Sequence, residues 1–165
     1  MCHVFFTGKD GYTMNSDART MFHYPYTVVT PAMAVTYPGK GSDYGITYVD
    51  SKKTPFSGRN TYKLHVEPDP PVNDFWAVTI YDTQTRSLLQ TNQQFPTVGS
   101  LTEGFKQNED GSFDVFFSPN PIPGKENNWL QTIPGKSFIV ILRVYGPLKP
   151  WIEKTWRPGE VRLIK

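Results

Sequence analysis

Along residues 73–86 the apolar side chains recur with a period of two and fall on both sides of the strand they predict. Trp76, Val78 and Ile80 share one face, and Phe75, Ala77, Thr79 and Tyr81 share the other. A strand with packing surface on both faces belongs in the middle of a sandwich. Residues 137–145 repeat the pattern, with Phe138, Val140, Leu142 and Val144 opposite Ile139, Ile141, Arg143 and Tyr145. Residues 61–67 alternate cleanly, turning Tyr62, Leu64 and Val66 inward and Lys63, His65 and Glu67 to water. In 112–117, Phe113, Val115 and Phe117 face away from Asp114 and Phe116. Further strands are expected at 4–6, 32–37, 44–49 and 160–164.

Between these runs Pro31, Pro38, Gly39, Gly41, Pro55 and Gly58 punctuate the chain. Residues 50–60 read as a connection closing a hairpin. Asn108-Glu109-Asp110-Gly111 predicts a type I′ hairpin into 112–117, because Asp-Gly supplies positive φ readily. Residues 118–132 read as a long loop that holds Trp129. Two short helical segments are expected. One covers 18–24, capped by Ser16 or Asp17 and ended by Pro25; the other covers 150–155 and seats Trp151 and Trp156. The pattern as a whole is that of an all-β protein, an antiparallel β-sandwich with one or two short helices. An N-terminal arm over 1–16 precedes a single sandwich domain over 17–165.

Composition agrees. Aromatics make up 15% of the 165 residues and charged residues 19%, with 13 Gly and 15 Pro, which suits short strands and tight turns. The formal charge of +2 is dispersed, so no nucleic-acid footprint is expected. Cys2 is the sole cysteine and allows no internal disulfide. The sequence has no apolar run long enough to span a membrane and no secretory signal, so it reads as soluble and, as written, cytoplasmic.

Candidate chemistry is sparse. His3, His23 and His65 have no metal-ligand spacing, and no metal or cofactor is expected. No Gly-x-Ser-x-Gly elbow occurs, and neither Gly39-Lys40-Gly41-Ser42 nor Gly124-Lys125 has the spacing of a phosphate loop. Asp74, Asp82, Asp110 and Asp114 leave open a hydrolase with paired carboxylates at one end of the sandwich. Asp74 and Asp82 also suit turn capping or pairing with Arg. The leading reading is a non-catalytic module that binds a small polar or carbohydrate-like ligand, or a partner protein. Arg86, Asn128, Trp129, Arg143 and Tyr145 are its candidate site. Arg143, a charge set among apolar neighbours, requires a partner, and Asp74, Asp82 or the carbonyls of 124–129 are the candidates. In the blander alternative, Trp129 and Trp151 plug the ends of the sandwich. A third class is a purely structural assembly domain. An apolar seam around 4–6 and 21–26 would then be covered in a homo-oligomer or by a partner protein.

A set of ordered motifs adds to this picture. Asp17-Ala18-Arg19, Thr30-Pro31-Ala32-Met33, Phe75-Trp76-Ala77-Val78, Thr85-Arg86-Ser87-Leu88-Leu89-Gln90-Thr91, Gly124-Lys125-Glu126-Asn127-Asn128-Trp129 and Arg143-Val144-Tyr145-Gly146-Pro147 follow one another along the chain. From about Asp17 onward the sequence resembles the domain of unknown function 1214. That domain usually forms the C-terminal half of a longer protein, behind the domain of unknown function 1254. The resemblance implies a jelly-roll-like sandwich and no established chemistry. It also implies an N-terminal-domain partner that this chain lacks.

Overall fold

The chain divides into Met1–Val35 and Thr36–Lys165. The computed structural model describes residues 36–165. The arm over 1–16, the strand at 4–6, the helix over 18–24 and the seam at 21–26 lie outside the described residues, as does most of the strand expected at 32–37.

The described residues form two four-stranded sheets. One contains β1 (Ser42–Thr47), β3 (Trp76–Asp82), β4 (Thr97–Gly99) and β7 (Phe138–Tyr145), in the order β1-β7-β3-β4. The other contains β2 (Tyr62–Val66), β5 (Phe113–Ser118), β6 (Trp129–Gln131) and β8 (Arg162–Leu163), in the order β6-β5-β2-β8. The chain crosses between sheets after β1, β2, β4, β6 and β7. Pairing is antiparallel except between β5 and β6, which run parallel. This is the expected all-β sandwich.

The long alternating runs place the core as their patterns require. Val78 pairs with Leu142 and Ile80 with Val140, and these residues are 0–3% exposed. Tyr62, Leu64 and Val66 meet them from the other sheet, with Val115, Phe117 and Leu130. Each such side chain contributes roughly 1.5–3 kcal/mol by leaving water. Phe56 stacks on Phe138 at 4.8 Å and meets Tyr62 edge-on at 5.2 Å, closing one end of the core. At Gly99 β4 approaches β3 so closely that a Cβ would lie 2.2 Å from the Trp76 carbonyl oxygen, and only glycine fits.

Three local expectations are corrected. Residues 50–60 do not close a hairpin, because β1 pairs with β7 while β2 pairs with β5 and β8. Asp50 Oδ1 instead accepts from the Lys52 and Thr54 amides at 2.8 and 2.9 Å and turns the chain toward the other sheet. The turn at 108–111 is present but is not type I′. Gly111 alone among its residues has positive φ (+85°), and the β5 that follows pairs with β2 and β6. The segment 118–132 is more than a loop, since it holds a 3-10 turn, Glu126–Asn128, and then β6. A three-residue strand is too short to show a period.

The expected helical turn is α1 (Lys149–Ile152). Trp151 donates to Asp43 Oδ2 at 2.8 Å and Trp156 to the Pro68 carbonyl at 2.9 Å, and both rings pack against the core. Among the described residues no helix is long and apolar enough to cross a membrane.

Candidate functional site

The face of the β1-β7-β3-β4 sheet turned away from the core carries the most unusual chemistry. Its register sets Tyr44, Arg143, Ala77 and Gly99 side by side across the four strands. A methyl group and a hydrogen beside an arginine leave a depression. Leu88 and Phe95 of the segment between β3 and β4, with Leu101 just after β4, wall it, giving a groove of about 490 Å³. Phe95 and Leu101 are 68% and 75% exposed, so the rim presents apolar surface to solvent. Phe75 and Tyr145 stack at 4.1 Å along one end.

Arg143 lies in the floor. Its Nη2 donates to Tyr81 Oη, and its guanidinium carbon sits 5.7 Å from the ring centres of both Tyr44 and Tyr81. Nε is buried and unpartnered. None of the ion pairs among the described residues includes Arg143. Burial disfavours the charge, but the phenolic oxygens of Tyr145, Tyr81 and Tyr44 outweigh it and move the arginine pKa upward. The group is a permanent cation.

Arg143 therefore finds neither of the expected kinds of partner. The candidate aspartates cap the two ends of β3. Asp74 accepts from Asn73 at 3.2 Å, while Asp82 binds Lys136 at 2.5 Å and the Gln84 and Thr85 amides at 2.7 and 3.2 Å. The 124–129 segment belongs to the β5–β6 side of the sandwich, away from the face that bears Arg143. Of the five residues singled out from sequence, the structure brings together Arg143 and Tyr145. Asn128 is 3% exposed and joins the Lys106 amide, the Lys106 carbonyl and the Asp114 carbonyl at 2.8–2.9 Å. Trp129 gives its indole N–H to the carbonyl and hydroxyl of Ser118 at 3.0 Å. Arg86 occupies the turn after Asp82 with φ +58°. Tyr44, Tyr81, Phe95 and Leu101 were not foreseen as site residues. Only the outward period of Tyr81, four residues along the same face of β3 from Ala77, offered a signal.

Other polar clusters are less suited to a ligand. Asp74 and Asp82 are eight extended residues apart, roughly 26 Å at about 3.3 Å per residue. That is far beyond the roughly 5–9.5 Å of a glycosidase pair. Asp82, Asp110 and Asp114 all have lowered pKa values, the opposite of what a general acid needs. On the outer face of β2 and β5, His65 Nδ1 and Lys63 Nζ hold Asp114 at 2.7 and 3.2 Å, and the bonds they make outweigh the rise that burial would cause. A Gln-rich groove has two of its central amides, those of Gln93 and Gln131, already committed. Gln93 bonds the Trp129 carbonyl and the Gln131 amide, and Gln131 bonds the Asn92 amide and the Pro119 carbonyl. No group of three or more His, Cys, Asp or Glu side chains able to hold a metal occurs among the described residues.

The family model described as protein of unknown function (DUF1214) matches residues 41–149, and the chain belongs to that family. The match runs from β1 through β7 and so contains every groove residue named above. Among solved structures, the VPA0106 protein from Vibrio parahaemolyticus is similar with a TM-score of 0.65 and 26% identity. The similarity covers 75% of this chain and 31% of that one. An uncharacterized protein from Burkholderia cenocepacia gives a TM-score of 0.47 and 17% identity over 74% of this chain and 29% of that one. This chain thus spans less than a third of the length of either structure. No curated protein matches.

Proposed function

We propose that the domain is a non-catalytic binding module whose ligand, a small amphipathic molecule, lies in the groove on the outer face of the β1-β7-β3-β4 sheet. One observation carries this reading: a permanent cation, Arg143, sits in the groove floor with a buried, unpartnered Nε and no carboxylate to balance it. Removing a guanidinium from water without an anionic partner is costly, and an apolar residue of similar volume would serve the fold as well or better. A perturbed, unbalanced charge in a concavity is a functional-site signal. Arg143 and Tyr145 supply the candidate site; Asn128 and Trp129 serve the fold, and Arg86 is not among the groove's lining residues.

The test is an amide ¹H–¹⁵N titration with small aromatic compounds and methyl glycosides. Shifts concentrated at Ala77, Thr79, Ile141 and Arg143 are the expected result. Shifts at Gln93 and Gln131, or none, would contradict the reading. Loss of those same outward-facing signals with rising protein concentration, together with sedimentation as a dimer, would instead assign the face to self-assembly.

A further inference from the structure

We infer that the groove selects an organic monoanion, a carboxylate on an aromatic or aliphatic body; this deepens the binding reading above and rests on it. The charge argument is the first support. Among the residues that line the groove, Arg143 is charged and none is acidic. A neutral or cationic ligand would leave that charge unbalanced, whereas an anion balances it in a site walled by rings and aliphatic groups, where an ion pair is weakly screened.

Hydrogen-bond direction narrows the choice. Arg143 Nη2 donates to Tyr81 Oη, so the hydroxyl acts there as acceptor and its own proton is free to point elsewhere. A guanidinium and a phenol O–H side by side form a donor pair suited to the two oxygens of one carboxylate. Elsewhere in the groove the Thr79 and Thr97 hydroxyls bond each other at 3.0 Å, and Thr97 Oγ1 also lies 3.2 Å from the Val78 carbonyl, so these polar groups are largely committed. A single guanidinium matches a monoanion better than a phosphate dianion, which would call for a second cation that the lining does not supply. The rest of the volume is bounded by Phe75, Leu88, Phe95 and Leu101, which fit an apolar body.

The experiment is calorimetric titration of the full chain at pH 7 and fixed ionic strength with three probes of one shape: 2-naphthoate, 2-naphthamide and 2-naphthylmethylammonium. The expected order is naphthoate tighter than the amide by about tenfold, since the acid meets the guanidinium as an ion pair and the amide only through a neutral acceptor, with no binding of the ammonium. Arg143→Met should weaken naphthoate more than the amide and so remove the preference between them. Tyr81→Phe should weaken naphthoate alone by a smaller factor. Equal binding of acid and amide by the wild-type protein would overturn the anion claim and leave the groove standing. No binding by any probe would overturn both. The wild-type comparison needs no variant, so misfolding of Arg143→Met would not shelter the proposal.

Discussion

Lys136 Nζ lies 2.5 Å from Asp82 Oδ2, fastening the end of β3 to the segment that leads into β7. The carboxylate is 4% exposed, and its other oxygen takes the Gln84 and Thr85 amides of the following turn. The Lys136 bond first, and then these amides, hold the Asp82 pKa below its ordinary value. Because the folded pKa is lower than the unfolded one, the stability Asp82 contributes is complete above the unfolded value, about 3.9, and is lost as pH falls through the folded value. Denaturant unfolding followed from pH 7 to pH 2 should show stability declining below about pH 5. Asp82→Asn should be less stable at pH 7 and should decline less steeply. Parallel curves for the two proteins would contradict this role.

Ile80 and Leu142 belong to the shared core of the two sheets, at 0% and 3% exposure. Replacing either by Ala should cost roughly 2–5 kcal/mol in equilibrium unfolding, by lost transfer energy plus the cavity left behind. A loss below about 1 kcal/mol at both positions would mean that they are not core.

The parts of this fold that were legible in the sequence are those whose periods run long enough to be read. Strands β2, β3, β5 and β7 span five to eight residues each, and their inward sets are buried apart from half-buried Phe113, while Thr79, Phe116 and Ile139 are buried on the outward side as well. Strands β4, β6 and β8 have two or three residues and take their conformation from their neighbours. Long-range register is equally hidden. His65 meets Asp114 because β2 pairs with β5 across 49 residues, and nothing local announces it. Arg143 was visible as an anomaly, but its surroundings were not. Charge alone suggested an aspartate, whereas register placed Tyr44 and Ala77 beside it and Tyr81 within reach along the strand. Phe95, in a polar loop, acquires meaning once the segment is seen to wall the groove.

Asn128 distinguishes a structural residue from a site residue. Its side chain joins the 104–107 segment to β5 through three bonds in a buried setting. Asn128→Ala should destabilise the protein by at least about 2 kcal/mol, since each buried group left unpartnered costs roughly 1–3 kcal/mol. Its effect on naphthoate affinity, corrected for the folded fraction, should be nil. A stable variant with weakened binding would place Asn128 back in the site.

Arg143 should behave in the opposite way. Exchanging it for Met removes a cation that is partly desolvated and unpaired, so thermal unfolding should occur at the same temperature as in the wild-type protein or higher. A drop of many degrees would show that the arginine locks the fold rather than awaiting a ligand.

The most direct measurement is a crystal structure of the protein soaked with 2-naphthoate. The account predicts carboxylate oxygens within hydrogen-bonding distance of the Arg143 guanidinium and Tyr81 Oη, with the ring system lying between Phe75 and Phe95. Ligand density in the Gln-rich groove near Gln93 and Gln131, or a naphthoate whose carboxylate points to solvent away from Arg143, would contradict it.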